Sequence, residues 1–377
     1  MLHFDDAEFA TRRAKVTDAM EERGLDALLI FAPESQYWLT GYDTFGYCFF
    51  QCLVFAEGRA HLLTRSADLR QAQLTSNISD IRVWQDGTDP AEALLDMLAD
   101  LGLLSGRFGV EVDTHGLTAK NWLRIAGALG ADRLHDCSEM IPAFRLTKSE
   151  AELAYVREAG RLCDAAFTAG AALIQPGAEE GDILTAMQGA VFAGGGDYPG
   201  NPFIIGSGDH ALLCRYATGR RTLAARDQIT LEWAGVYRHY HAAAMRTLCV
   251  GEPTAVHERL FTVATDALTA CEAALKPGAL MRDVYAEHAR IFDEAGLGAH
   301  RLAACGYALG ARYAPSWMEP QMFHAGSDQV IGAGQVYFLH MILMDSETGA
   351  AMCPGRSSIV TEGGIEPLSR LPLGLTV

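Results

Sequence analysis

The chain has 377 residues, which is enough for two domains with a hydrophobic core each. Its formal charge of −17 at pH 7 argues against nucleic acid and anionic membranes as partners, because both select surfaces rich in Lys and Arg. Hydrophobic residues make up 49% of the chain, as in ordinary soluble proteins, and no apolar run reaches the roughly 18 residues of a membrane-spanning helix.

The N-terminal stretch and the cysteines indicate a compartment. The opening MLHFDDAEFATRR is acidic and polar rather than basic and then apolar, so no secretory signal is expected. The nine cysteines form no CxxC pair, and several lie in apolar runs, which predicts reduced and buried thiols. Cys305, in LAACGYALG, is a candidate neighbour of a functional site. We therefore expect a cytoplasmic protein.

The first part of the chain alternates helix and strand patterns. An amphipathic helix is predicted over residues 8–24, and a buried strand follows in LDALLIF, residues 25–31. Two further strands, residues 48–55 and 60–64, are separated by an EGR turn. The remaining elements are a helix over residues 91–101, a strand over 108–112 and a helix over 119–128. These patterns predict an open α/β domain with a mixed sheet.

A change of character near residue 147 marks the predicted domain boundary. In FRLTKSEAELAYVREAGRL, Ser149 can cap a helix whose first turn is rich in Glu and which runs towards Ile174. The sequence therefore predicts domains at residues 1–146 and 147–377.

The second domain contains an internal repeat. TAGAALIQPGAEEGD, residues 168–182, aligns without gaps with TACEAALKPGALMRD, residues 269–283. In both copies a helix ends, a Pro-Gly pair turns the chain, and a strand-rich segment comes later. Two related halves around a pseudo-two-fold axis are predicted, with a site in the sheet between them.

The stretch LEWAGVYRHYHAAAMRT, residues 231–247, has an unusual density of Glu, Arg, His and Tyr. In an extended segment, Tyr237, His239 and His241 share one face. Glu232 followed by these histidines has the chemistry of either an acid/base site or a metal site. The residues alone leave that choice open.

Several motifs together resemble the creatinase/aminopeptidase P superfamily. They are the helix pairs with Pro-Gly turns, the phrase LTKSxxE at residues 146–152, the ending Met245-Arg246-Thr247, and the closing IVTEGG. The resemblance covers essentially the whole chain and implies an α+β protein. It implies a pita-bread C-terminal domain with the pseudo-two-fold repeat, a smaller creatinase-type α/β N-terminal domain, and a homodimer.

The chain departs from the metal-binding pattern of the peptidases that it resembles. Those peptidases hold two divalent metals with Asp, Asp, His, Glu and Glu. The corresponding positions in this chain are Trp233, Ala243, Tyr307, His340 and Gly355 or Arg356. Because metal-bridging carboxylates are what dinuclear chemistry requires, the departure implies an enzyme with no metal and no cofactor.

The metal-free branch of the superfamily, with creatinase and ectoine hydrolase, is the closer resemblance. Glu232, the phrase AGxYRxYH at residues 234–241 and Tyr307 are similar to ectoine hydrolase. This similarity implies a hydrolase that cleaves a C–N bond of an amidine, guanidine or amide in a small zwitterionic compound. One position differs, because the histidine of creatinase falls on Arg215, and a guanidinium cannot act as a base at neutral pH.

Candidate catalytic residues follow from the needs of C–N hydrolysis, which are an attacking group and a proton donor for the leaving nitrogen. Glu232 is the candidate nucleophile or base for water, since an apolar setting beside Trp233 raises a carboxyl pKa towards neutrality. A strand glutamate paired with Arg246 is the alternative. His241 and His340, one from each half of the repeat, are candidate acid/base groups, and a core histidine is the alternative for each.

Candidate binding residues carry charge or aromatic rings. Arg215 offers a guanidinium fork for a substrate carboxylate, and Tyr307 and Arg356 are candidates for other polar contacts. In the loop YWLTGYDTFGY, Trp38 and Tyr42 are candidates to pack on a cationic ligand in this chain's site or in a partner subunit's site. A place in the dimer core is the alternative for both. The expected partners are a small zwitterionic substrate and a second copy of the chain.

Two other functions remain open from the sequence. One is a lyase or an Xaa-Pro peptidase-like enzyme with a mononuclear metal held by His239, His241 and His340. The other is a non-catalytic protein that binds small molecules in the same pocket.

Overall fold

The computed structural model describes residues 2–215 and 219–377. They form two compact units, Met1–Arg145 and Leu146–Val377. The predicted boundary lies between residues 146 and 147. No helix among the described residues is long and apolar enough to cross a membrane.

The regular elements are numbered in chain order. The helices are α1 Asp6–Arg23, α2 Pro33–Thr40, α3 Leu69–Thr75, α4 Pro90–Asp100, α5 Ala119–Leu129, α6 Met140–Leu146, α7 Glu150–Ala171, α8 Glu180–Ala193, α9 Ala255–Ala274 and α10 Met281–Glu294. The strands are β1 Ala27–Ile30, β2 Cys52–Ala56, β3 Arg59–Arg65, β4 Asp80–Trp84, β5 Phe108–Val110, β6 Leu134–Asp136, β7 Ile204–Ser207, β8 Asp227–Tyr237, β9 Tyr240–Val250, β10 Ala304–Leu309, β11 Met318–His324, β12 Val336–His340, β13 Leu343–Asp345, β14 Ala350–Met352, β15 Gly355–Thr361 and β16 Gly364–Pro367.

The N-terminal unit is built on a mixed sheet. Within residues 2–145 this sheet has six strands in the order β4-β3-β2-β1-β5-β6. β1 pairs antiparallel with β2 and parallel with β5, and β3 pairs parallel with β4. Successive residues of β1 belong alternately to two separate apolar clusters. Since successive strand residues point to opposite faces, both faces of the sheet are buried. The predicted open α/β domain is confirmed.

One local prediction in this unit needs correction, and not every strand was predicted. The predicted strand over residues 48–55 starts too early, because Gly46–Cys48 form a 3₁₀ turn and β2 begins at Cys52. Cys48 and Phe49 are exposed, so the apolar run CFFQCLVF does not belong to one buried strand. Strand β4 was not predicted, and each of its residues is only half-buried, which leaves little alternation to detect.

The C-terminal unit has one antiparallel sheet with helices against it. Among the described residues the sheet runs β11-β10-β12-β15-β9-β8-β7, with β16 paired to β15. Helix α7 lies directly on β8, because a Cβ atom at Gly235 would lie 1.9 Å from the carbonyl oxygen of Ala159. On the same face, Trp233 Nε1 donates to the carbonyl of Cys163 at 2.9 Å. Glycine at position 235 therefore permits the close approach of helix and strand.

The predicted repeat is confirmed by matching backbone contacts in the two halves. Gly177 and Gly278 follow the two equivalent prolines, and both have φ of 85°. The Gly177 N–H donates to the carbonyl of Leu223 at 2.8 Å, and the Gly278 N–H donates to the carbonyl of Ile331 at 2.9 Å. Each half therefore attaches its Pro-Gly turn to a later segment in the same way. Positive φ explains why both turns use glycine.

The helix that opens the C-terminal unit begins as the sequence predicts. Ser149 Oγ accepts from the backbone N–H of Glu152 at 3.3 Å, and Glu152 Oε2 accepts from the Ser149 N–H at 2.8 Å. This reciprocal capping box satisfies two donors at the start of α7. It also fixes the point at which the second unit starts its first long helix.

Candidate active site

A cavity of about 130 Å³ lies against the C-terminal sheet. Its polar wall consists of Cys214, Arg215, Glu232, Tyr307 and His340. Three of these residues, Glu232, Tyr307 and His340, belong to strands β8, β10 and β12. The cavity therefore draws its polar groups from both halves of the repeat, as predicted for a site between them.

Curvature of the sheet brings these groups together. Tyr307 Oη donates to Glu232 Oε1 at 3.3 Å, although three strands, β12, β15 and β9, separate β10 from β8. Neighbouring strands are spaced by about 4.8 Å, so a flat sheet would hold the two strands roughly 19 Å apart. Side chains of Tyr and Glu cannot span that distance. The sheet must therefore curl around the cavity.

Glu232 is the carboxylate that faces the cavity. Across the β8–β9 ladder, Glu232 lies opposite Met245, and Ala234 lies opposite Ala243. Residues two positions apart on a strand share a face, and so do directly opposite residues, so Glu232 and Ala243 lie on the same face of the sheet. Trp233 lies on the opposite face against α7. The first position of the metal pattern therefore corresponds to Glu232 and was wrongly placed on Trp233. Only the residue on the cavity face can replace a metal-binding aspartate.

Burial controls the ionisation of Glu232. Desolvation raises the pKa of its carboxyl group from 4.5 to about 7, and the hydrogen bond from Tyr307 and the positive charge of Arg215 oppose this rise. A carboxyl group with a pKa near neutrality accepts and returns a proton easily at neutral pH. The predicted effect of an apolar setting on Glu232 agrees with this direction.

Tyr307 has a second hydrogen bond, to a residue that the sequence did not single out. Trp317 Nε1 donates to Tyr307 Oη at 2.8 Å. Burial raises the pKa of the Tyr307 hydroxyl well above its ordinary value, so the phenol stays protonated. Tyr307 therefore acts as a fixed donor towards Glu232.

His340 lines the cavity as a neutral imidazole. Burial lowers its pKa to about 4, so it is uncharged at neutral pH. Its Nδ1 atom has no hydrogen-bond partner among the described residues. A neutral imidazole can hold a water or a substrate N–H, but it has no proton to spare as an imidazolium acid.

His241 is not part of the cavity wall, which corrects its predicted role. Its Nε2 accepts from the backbone N–H of Gly200 at 2.9 Å, and its ring lies 6.1 Å from that of Trp317. Burial lowers the pKa of His241 to about 3. The structure thus supports the alternative of a core histidine.

The two candidate arginines have different surroundings. Arg215 is exposed and lines the cavity, where a carboxylate of a ligand can reach it. Arg356 instead forms a paired hydrogen bond with Glu272 of α9, at 2.5 and 2.6 Å. Its guanidinium is therefore already neutralised by a helix residue, and the prediction that it binds substrate is wrong.

Trp38 and Tyr42 lie inside the N-terminal unit. They are 3% and 1% exposed and belong to one of its apolar clusters. The Arg12 guanidinium lies 5.1 Å from the Trp38 ring, so the cation beside this ring is an internal one. Tyr42 Oη is hydrogen-bonded to Thr64 Oγ1 at 3.2 Å. The prediction that both rings pack on a ligand is therefore wrong in this chain.

The other rings and thiols that the sequence indicated also have internal partners. The ring of His239 stacks on Tyr313 at 4.2 Å and does not line the cavity that contains His340. Cys305 is fully buried in the apolar core of the C-terminal unit with Cys271 and does not line the cavity. The three histidines of the proposed mononuclear metal site therefore do not converge.

These two units and the repeated, curled sheet define a protein of the creatinase/prolidase type with a pita-bread C-terminal domain. Residues 154–365 match the metallopeptidase family M24, and residues 12–147 match the creatinase/prolidase N-terminal domain. The chain belongs to the metallopeptidase family M24.

Individual relatives cover the whole chain. It is 28% identical over 398 residues to an ectoine hydrolase of Halomonas elongata, with 100% of this chain and 98% of that protein covered. It is 27% identical over 395 residues to an uncharacterized hydrolase/peptidase of Sinorhizobium fredii, with 100% and 99% covered. A solved structure, the Xaa-Pro dipeptidase from Bacillus anthracis, shares the fold with a TM-score of 0.84 at 20% identity, with 98% and 99% covered. The chain is a hydrolase that acts on a C–N bond.

The donor groups of the cavity do not fit the two metals that the peptidases of this fold hold. A dinuclear site needs bridging carboxylates, and Glu232 is the one carboxylate among the described residues that line the cavity. The other expected positions carry Ala243, Tyr307, His340 and Gly355. Across residues 2–215 and 219–377, no cluster of three or more His, Cys, Asp or Glu side chains is placed to hold a metal ion.

Proposed function

We propose that this enzyme hydrolyses a C–N bond of a small zwitterionic compound without a metal, with ectoine-like cyclic amidines as its substrate class. The observation that carries the proposal is Glu232, hydrogen-bonded to Tyr307, in a small cavity that also contains Arg215. Similarity to an ectoine hydrolase over the full chain supports the choice of substrate.

The charges of the cavity complement a zwitterion. An amidinium group is attracted to the Glu232 carboxylate, and a substrate carboxylate can take paired hydrogen bonds from the Arg215 guanidinium. Met318, Met322 and Ile342 form an apolar wall for the methylene groups of a ring. A volume of about 130 Å³ is well below the roughly 300 Å³ at which pockets for drug-sized ligands begin, which favours a small substrate.

The proposed reaction adds one water across the C–N bond. Glu232 takes a proton from water, and the water oxygen forms a bond to the amidine carbon. The ring C–N bond then breaks as the added hydroxyl becomes the amide carbonyl; the proton on Glu232 passes to the leaving nitrogen, and Glu232 takes up the hydroxyl proton that is released. A pKa of about 7 suits Glu232 to act first as base and then as acid. Neutral His340 is placed to accept a hydrogen bond from the water or the substrate.

The test of metal independence is ring opening of ectoine after removal of divalent ions. Purified enzyme is dialysed against excess chelator and assayed by product analysis, and we expect its activity to stay within about two-fold of the untreated enzyme. Activity that is lost to the chelator and restored by Mn²⁺ or Zn²⁺ would contradict the proposal. Turnover of a proline dipeptide with none of ectoine would overturn the substrate class.

The test of zwitterion recognition is Arg215→Gln. A charge-assisted hydrogen bond contributes about 1.5–3 kcal/mol, so KM for ectoine should rise about 10- to 100-fold, with a smaller change in kcat. Arg220→Gln is the matched control, because Arg220 is also exposed and lies five positions later without lining the cavity. Equal effects of the two substitutions would show that general positive charge, and not Arg215, attracts the substrate.

A further inference from the structure

Trp317 stands behind Tyr307 and does not line the cavity itself. We propose that Trp317 is a positioning residue, which fixes the direction of the Tyr307 hydroxyl proton and thereby favours the carboxylate form of Glu232. The catalytic meaning of this effect rests on the proposed function, whereas the contacts that produce it do not.

The indole ring is held firmly in place. Trp317 is 1% exposed and directly precedes β11. Its backbone N–H donates to Asn201 Oδ1 at 3.4 Å, and its ring lies against that of His241. Its Nε1 atom donates to Tyr307 Oη at 2.8 Å, the shorter of the two hydrogen bonds of this hydroxyl. A buried ring with such contacts has one orientation.

An indole N–H can only donate a hydrogen bond, and this property sets the direction of the whole chain of bonds. The Tyr307 oxygen must accept from Trp317, so its own proton is directed to a different acceptor. Within the described part of the chain that acceptor is Glu232 Oε1. A Glu232 protonated on Oε2 could still accept from Tyr307 through Oε1, but a hydrogen bond to a neutral carbonyl oxygen is weaker than the charge-assisted bond to a carboxylate. Trp317 therefore favours the ionised form of Glu232.

Other groups around Glu232 also affect its charge. Arg215 favours the carboxylate, whereas burial opposes it. The thiols of Cys214 and Cys353 lie close enough to Glu232 to interact with its charge, and His340 faces the same cavity as a neutral ring. None of these groups is hydrogen-bonded to Trp317 in the described structure. A substitution at Trp317 therefore removes one influence and leaves the others.

The first experiment is the pH profile of kcat/KM for Trp317→Phe, which keeps an aromatic ring but removes the N–H. The acidic limb should move to higher pH by about 0.5–1 unit, and activity at high pH should approach that of the wild type. Tyr307→Phe should move the limb at least as far, and the double variant no further, because both act through one hydrogen bond. A lower kcat at every pH with an unmoved limb would overturn the proposal.

Trp233→Phe is the matched control. Trp233 is also buried, at 2% exposure, and its Nε1 also donates one hydrogen bond, to the carbonyl of Cys163 at 2.9 Å. It lies next to Glu232 on β8 but faces α7. We expect this substitution to leave the acidic limb where it is. An equal shift in Trp233→Phe would mean that loosening β8 is sufficient, and would overturn the role of Trp317.

A measurement without substrate separates this inference from the proposed function. Carbon-13 NMR of labelled Glu carboxyl groups gives the pKa of Glu232 directly, with its signal assigned by its loss in Glu232→Gln. A higher pKa in Trp317→Phe supports the inference even if ectoine is not turned over. An unchanged pKa contradicts the inference even if ectoine is hydrolysed. If Trp317→Phe does not fold, Tyr307→Phe tests the same chain of hydrogen bonds by the same titration.

Discussion

Two glutamates, the buried Glu111 and the partly exposed Glu232, have similar acidity and different surroundings. Burial raises the pKa of Glu111, in the N-terminal unit, and of Glu232, in the C-terminal unit, to about 7 in each case. Glu111 accepts from three donors, the backbone N–H groups of Phe31 and Ala32 and the Ser35 hydroxyl, at 3.2, 2.9 and 2.6 Å. Among the residues that the structure describes, Glu232 accepts one bond, from Tyr307 at 3.3 Å, and it faces a cavity.

The difference shows that a raised pKa does not by itself identify a catalytic group. Glu111 is part of the structure, because it satisfies the donors where β1 leads into α2. Glu232 has oxygen lone pairs left for a ligand or water, because within residues 2–215 and 219–377 its one hydrogen-bond partner is a side chain on a strand across the curled sheet. Free hydrogen-bonding capacity next to a cavity, rather than acidity, distinguishes the site.

The largest expected effect is on activity. Glu232→Gln keeps the size of the side chain and an acceptor for Tyr307 but removes the base, so kcat/KM for ectoine should fall about 10²- to 10⁴-fold. Glu111→Gln is the matched control, since it makes the same change at a buried glutamate of similar pKa and should leave kcat/KM within about two-fold. Equal losses in the two variants would remove the distinction between the two carboxylates.

The next largest effect is on stability. Glu111→Ala leaves three donors without an acceptor, and each buried unsatisfied group costs about 1–3 kcal/mol, so we expect a loss of about 3–5 kcal/mol in the free energy of unfolding. Glu232→Ala breaks one long hydrogen bond beside a cavity that water can enter, and should cost less than about 1 kcal/mol. Urea unfolding of both variants measures the difference. A greater loss for Glu232→Ala would show that Glu232 is the structural group.

The smallest expected effect is the pH dependence of stability due to Glu232. Its pKa is raised from 4.5 to about 7 in the folded state, so the folded protein holds a proton that the unfolded chain has released. The stabilisation is therefore complete below the unfolded pKa and is lost as the pH rises towards 7.

Glu232→Gln cannot titrate, so its stability should fall less than that of the wild type between about pH 5 and about pH 8, by about 1–3 kcal/mol. Urea unfolding at the two pH values measures this difference. Parallel curves for the two proteins would contradict a raised pKa at Glu232.

The fold could be predicted further than the site. The capping box at Ser149 and the two Pro-Gly turns depend on neighbours in sequence or on a repeat, so the residues themselves reveal them. The site roles of Trp38 and Arg356 could not be judged in this way. An indole ring and a guanidinium are both suited to binding a ligand. Only the packing of the folded chain shows that Arg12 lies beside Trp38 and that Glu272 is hydrogen-bonded to Arg356.

Trp317 and the apolar wall of the cavity gave no signal in the sequence. Trp317 stands in APSWMEP, outside any periodic pattern, and Met318 and Met322 look like ordinary strand residues. Their importance comes only from their position beside Tyr307 and in the cavity.

By itself the sequence determined the two domains, the repeated halves of the second, the family, and Glu232 with Tyr307 as candidate polar groups, because caps, turns and repeats act over short distances along the chain. The tertiary structure decided which face of β8 lines the cavity and which arginine can contact a ligand there. It also decided that a phenol on β10 reaches a carboxylate on β8. The reason is the curvature of the sheet, which no local pattern of residues specifies.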